Sequence, residues 1–150
     1  MTRSGNVHVG GSIYHDRIPA NPLVSGREGE IDEIIPGGYF VVTWPRVELL
    51  SEVFRVHHED RVTRNKFDNN AWYATLVGKF GIWKPYVGVD RVDYASGDPF
   101  FAGGDRDLTR GLAGVRCEIG SFSAVKVEYR HDKRPGEKSD AVAIQSSFTF

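Results

Sequence analysis

Apolar and polar residues alternate with period two along most of the chain, and no segment carries a convincing 3.6-residue helical period. The alternation is cleanest at the end. Val142, Ile144, Ser146, Phe148 and Phe150 fall on one side of an extended segment, with Ala141, Ala143, Gln145, Ser147 and Thr149 on the other. Just before it, Val125, Val127 and Tyr129 oppose Lys126, Glu128 and Arg130. A strand with three charges in register must set them in water or against partners on neighbouring strands. Reading backwards predicts eight strands, near 6–17, 31–44, 47–58, 70–82, 84–95, 108–119, 124–133 and 140–150. The third is the least regular, because Leu49 and Leu50 compete for one apolar side with Arg55 in reach of either. In the fifth, Val87 and Val89 alternate with Gly88 and Asp90, then the pattern slips at Arg91 and Val92, which predicts a bulge.

The connections carry a second pattern. Tight links are expected after strands two, four and six, at 44–46, Gly81 to Trp83 and Gly120 to Ser123. Longer polar ones are expected after strands one, three, five and seven, at Pro19 to Gly29, Glu59 to Asn69, Ser96 to Asp107 and Lys133 to Ser139. In an up-and-down antiparallel sheet this sets long loops at one end and tight turns at the other, the asymmetry of outer-membrane barrels. Trp44, Phe80, Trp83, Tyr86, Phe122, Phe148 and Phe150 gather towards the tight-turn end, and Tyr39, Trp72, Tyr94, Phe100 and Phe101 towards the long-loop end. Two aromatic belts around an aliphatic band would suit a bilayer, although Trp and Phe also favour strands in general.

Composition narrows the classes. The 150 residues suit one domain, and 19 Lys plus Arg against 20 Asp plus Glu argue against a nucleic-acid binder. A single cysteine, Cys117, makes neither an internal disulfide nor a cysteine-rich zinc site; beside Val115 and Ile119 it reads as a small lipid-facing residue. No stretch is apolar over the roughly 18–20 residues of a membrane helix, a test blind to strands that cross in about 9–11 residues. The start, MTRSGNVHVGG, has no apolar signal core, so the chain reads as a mature form or a piece of a longer one.

The alternating row that ends at Phe148 and Phe150 resembles the C-terminal assembly signal of Gram-negative outer-membrane proteins, with Ser146 where an apolar residue is usual. The run WYATLVGKFGIWKPYVGVDRVDY, followed by LTRGLAGVRCEI and SAVKVEYRHD, is similar to the phosphate-selective porin-like group, and GGSIYHDR and PRVELLSEVFRV look like its preceding strands. The resemblance implies an all-β, antiparallel up-and-down transmembrane barrel in the bacterial outer membrane, inserted by the barrel assembly machinery. Members carry about twice as many strands, so a complete small barrel and the C-terminal portion of a larger one both stay open. Porin-like families often form trimers, which leaves a homo-oligomer open too.

If the aliphatic rows meet lipid, Arg110, Arg116, Glu118, Lys126, Glu128 and Arg130 point into the lumen, with Asp90 and Glu52 beside them. In a wide barrel such charges bias which solutes pass; in a narrow one they form an internal salt-bridge network. Their mixed signs specify neither anions nor cations, so phosphate selectivity does not carry over. His57 and His58 would point to opposite sides of a strand and so not share one metal ion, and they, with His15–Asp16 and His131–Asp132, read as solvated loop-end residues. Asp98, Asp105 and Asp107 among glycines read as turn chemistry rather than a calcium loop, and Phe100 and Phe101 either pack the loop down or touch headgroups. No catalytic constellation, metal site or cofactor motif stands out. The leading expectation is a porin-like channel for small hydrophilic solutes. A non-channel barrel acting as anchor or surface scaffold is the alternative, and a soluble lipocalin-like barrel is a third.

Overall fold

The computed structural model describes residues 5–20, 29–101 and 107–149. Eight strands make one antiparallel sheet in sequence order: β1 (Asn6–Ile18), β2 (Ile31–Thr43), β3 (Val47–Asp60), β4 (Lys66–Gly78), β5 (Trp83–Asp93), β6 (Leu108–Glu118), β7 (Ser123–Arg134) and β8 (Glu137–Phe148). Each strand pairs only with its neighbours in the chain, so the sheet is open, with β1 and β8 as its edges. The expected closed barrel is therefore not formed by these eight strands alone.

Directly paired residues share a face, and the register assigns every side chain. On one face lie Val7, Val9 and Ile13, Phe40 and Val42, Leu49 and Val53, Trp72 and Leu76, Val87 and Val89, Val115 and Cys117, Val125 and Val127, and Val142 and Ile144. We call it the apolar face; the opposite one is the charged face. Leu49 takes the apolar side and Leu50 the charged side, which settles the ambiguity of the third strand. No bulge occurs at Arg91 and Val92. Both β5 ladders run through them residue for residue, and the pattern slips because Arg91 stands past the end of the apolar stretch.

Two of the long links are in fact tight. The β7–β8 hairpin turns through Pro135 and Gly136 alone, with Gly136 at φ 78°, a backbone conformation for which glycine is the default. The β3–β4 hairpin extends to Glu59 and Lys66, and the Asp60 carboxylate closes its loop by accepting the Val62 and Thr63 amides. Here the strands outrun their apolar stretch, so both faces become polar and the alternation vanishes while the backbone ladder continues. Only the β1–β2 and β5–β6 connections remain long.

On the charged face, an aromatic ring lies over the glycine directly opposite it on the next strand in three places: Tyr39 over Gly10, Phe54 over Gly37 and Tyr86 over Gly114. A Cβ at Gly114 would stand 2.5 Å from Tyr86 Oη and 2.6 Å from the Val127 carbonyl oxygen. Gly111, on the apolar face of the same strand, has nothing within 4 Å. Gly114→Ala is therefore expected to cost about 1–3 kcal/mol through overpacking. Gly111→Ala should stay within about 0.5 kcal/mol of the parent. Equilibrium urea unfolding of the two variants checks the contrast.

Candidate functional site

Every residue read from the sequence as lumen-lining lies on the charged face: Glu52, Asp90, Arg110, Arg116, Glu118, Lys126, Glu128 and Arg130. The register brings seven of them together on β5–β7, while Glu52 stands apart on β3 between Tyr39 and Tyr73. Glu128 is the hub and is 4% exposed. It accepts from Tyr86 Oη at 2.7 Å, Arg130 Nε at 2.5 Å and Lys126 Nζ at 3.3 Å. Tyr86 reaches it from two strands away because Gly114, between them, has no side chain. Arg110 grips Asp132 with two bonds, of 2.7 and 2.8 Å, and faces Asp90 on its other side. Lys84 meets Glu118 at 2.5 Å, whereas Arg116 reaches the same carboxylate only at 3.5 Å and stays half exposed.

Charge on this face is segregated. On β1–β4 its acids are Asp16, Glu33, Glu48, Glu52 and Asp60 and its one cation is His58, because Arg17, Arg55 and Lys66 all project from the apolar side. The arginines and lysines of this face stand on β5–β7, interleaved with acids. The β1–β4 part of this face is thus mainly acidic, with Glu33 paired to His58 and Glu48 to Lys79, and the β5–β7 part is a paired, mixed-sign lattice.

A second cluster escaped the sequence reading. The connection after β5 folds over the charged face at the loop end, and His58, assigned to solvent, is fully buried beneath it. Its Nδ1 donates to Asp98 at 2.7 Å and its Nε2 to Glu33 at 2.8 Å. With a carboxylate on each nitrogen, both must carry protons, so His58 is an imidazolium. Asp98, read as ordinary turn chemistry, is 2% exposed and also accepts from Asn69 Nδ2 and the Phe100 amide. Asn69 accepts the Ala95 amide in return. Phe100 and Phe101 pack the loop down, with ring centroids 5.2 and 5.6 Å from that of His58. Neither imidazole nitrogen is free for proton transfer, and no cluster of metal ligands occurs among the described residues. The cluster clamps a loop. Only the spacing of a polar His58 among strand residues, opposite Glu33 and Phe67, could have hinted at it.

Beyond the apolar stretch, the same face carries ion pairs instead: Arg17–Asp32, His57–Asp68, Arg91–Asp93 and His131–Asp140. His57 and His131 sit there as the reading expected. The aromatic pattern is half as expected. Trp44, Phe80, Trp83, Phe122 and Phe148 are exposed at the tight-turn end, but Tyr86 turns to the charged face. Of the residues assigned to the other end, Trp72 is exposed on the apolar face, whereas Tyr39 lies on the charged face and Phe101 packs against Tyr94 and His58. Phe150 lies outside the described residues. Comparisons with protein-family models, with curated proteins and with solved structures find no match.

Past Val53 on β3, the clamp stands clear of the apolar stretch, and its protons can be followed. Burial opposes charge on His58, but its bonds to Asp98 and Glu33 outweigh this and raise its pKa above 6.5. Burial likewise opposes charge on Asp98, and its bonds to His58, Asn69 and the Phe100 amide lower its pKa below 3.8. The histidine contribution is complete below pH 6.5 and fades as pH rises through the folded value; the aspartate contribution is complete above 3.8 and fades as pH falls through its own. Amide hydrogen exchange at Ala95 and Phe100 should therefore be slowest, relative to an unfolded reference, between these two pH values. His58→Ala, which strands two buried carboxylates, should cost about 3–5 kcal/mol and remove that pH dependence.

Proposed function

We propose that this chain forms the wall of an outer-membrane β-barrel whose charged face lines an aqueous passage for small hydrophilic solutes. One observation carries the reading: the usual inside and outside are exchanged. Val53, Leu76, Val87 and Val127, each flanked by strands on both sides, are exposed, while the buried polar groups include His58, Asn69, Asp98 and Glu128. In water a continuous exposed apolar sheet is a liability; against hydrocarbon it is the required surface. The stretches Val47–Val53 and Trp83–Val89 each cover about 20 Å at roughly 3.3 Å per residue, to which the exposed turn aromatics add an interfacial rim.

The paired charges on the other face are what a water-filled lumen tolerates: Lys84, Arg110, Lys126 and Arg130 are each hydrogen-bonded to a carboxylate and still partly exposed. The terminal row Val142, Ile144 and Phe148 stands outward, the presentation an assembly-signal strand would need before the barrel assembly machinery. A lipocalin-like barrel requires the opposite arrangement, with aliphatics enclosed.

Refolding into lipid vesicles tests the reading. The chain is expected to need detergent for solubility, to insert, and to give stepwise ionic conductance; solubility without detergent would sink the proposal, and insertion without conductance would favour the scaffold alternative. Val87→Arg should destabilise the inserted form by about 2–4 kcal/mol if Val87 faces mid-membrane. Arg116, the least tightly paired lumen cation, should set part of the permeability. Arg116→Glu is expected to shift the reversal potential in a salt gradient towards cation preference without changing stability much.

A further inference from the structure

We propose that Lys133 and Lys138 hold the anionic phosphate of a lipid headgroup on the apolar face of the β7–β8 hairpin, near its turn; the inference rests on the membrane reading above. The two lysines are partners in the β7–β8 register, and both are exposed. They project from the face that carries Val127, Tyr129, Val142 and Ile144 further along the same strands. Like charges set directly opposite each other on adjacent strands, with Cβ atoms about 5 Å apart, repel and weaken the pairing. The arrangement calls for a counter-charge.

The chain does not supply one. Other cations of this face beyond the apolar stretch are matched: Arg17 by Asp32, His57 by Asp68, Arg91 by Asp93 and His131 by Asp140. Among the described residues Lys133 and Lys138 meet no carboxylate. The acids around them are engaged elsewhere. Asp140, one step nearer the aliphatics, takes the Tyr129 hydroxyl at 2.5 Å and His131 Nδ1 at 2.8 Å. Asp107 accepts the Tyr94 amide, and Glu137 stands opposite Arg134 on the charged face.

The order of groups along the hairpin is that of a bilayer boundary. Val127 and Ile144 come first, then Val142 beside the Tyr129 ring. The Tyr129 hydroxyl turns away from the aliphatics towards Asp140, and the two lysines follow one step beyond. Hydrocarbon, interface and phosphate layer succeed one another in the same way. Lysine stems lie along apolar surface while their heads reach polar groups, which suits ammonium groups placed just past an aliphatic band. The exposed Thr109 hydroxyl, level with Lys133 on β6, adds a third donor. Free phosphate in water would meet the same donors, but only a lipid is also held by its chains against Val142 and Ile144.

Native mass spectrometry of the detergent-solubilised chain, titrated with phosphatidic acid, gives the dissociation constant of the first lipid bound. Phosphatidic acid is expected to bind more tightly than phosphatidylcholine with the same chains. Lys133→Gln and Lys138→Gln should each weaken it about fivefold, the effect of one basic residue at an anionic surface. Lys138→Glu sets a carboxylate opposite Lys133, so the hairpin should resist urea at least as well as the parent while the lipid preference is lost. Equal affinity for the two lipids, or a preference that survives Lys138→Glu, would overturn the headgroup site and leave the membrane reading standing. Displacement of the lipid by an equal concentration of inorganic phosphate would overturn it too, in favour of a free-anion site. A chain that needs no detergent would overturn both.

Discussion

The molecule depends on an unslipped antiparallel register. From β1 to β8 each ladder advances residue for residue, so parity alone decides whether a side chain meets one environment or the other. A slip of a single position anywhere would move a whole row of valines to the charged face and a row of ionised groups to the apolar one. Even Pro36, which cannot donate to a ladder, leaves the β2–β3 register unchanged on either side of it. Everything else, the aliphatic face, the hub at Glu128 and the clamp at His58, is a consequence of that parity being kept.

Two kinds of polar organisation then divide the charged face. On β5–β7 the charges satisfy one another laterally, through Glu128, Asp132 and Glu118, and the wall holds its own shape without help from across a cavity. At the loop end the connection after β5 is drawn down over the face by a doubly paired imidazolium under two phenyl rings. The carboxylates of β1–β4 meet few cations of their own face, His58 at Glu33 and Lys79 at Glu48, so this face grades from mainly acidic to balanced.

The strands were legible wherever one side was apolar, because Val87, Val125 or Ile144 then alternates with something unlike itself. They were illegible where both sides turned polar. Lys66 to Asn69 and Lys133 to Ser139 read as loops for that reason, although backbone pairing continues through them. The shared face of Glu128 and Arg130 was readable from parity alone. The clamp was not, since it joins residues 40 positions apart through a loop whose path no local pattern specifies. The glycine–aromatic pairs were hidden similarly: Gly114 and Tyr86 look unremarkable until the register sets them opposite each other.

Those pairs have a consequence for shape. A tyrosine or phenylalanine standing upright from the sheet would project several ångströms into the space beside it. Laid flat in the notch left by a missing side chain, it becomes part of the plaster. Tyr39, Phe54 and Tyr86 thus add ring surface to this face while occupying the place of the missing glycine side chains.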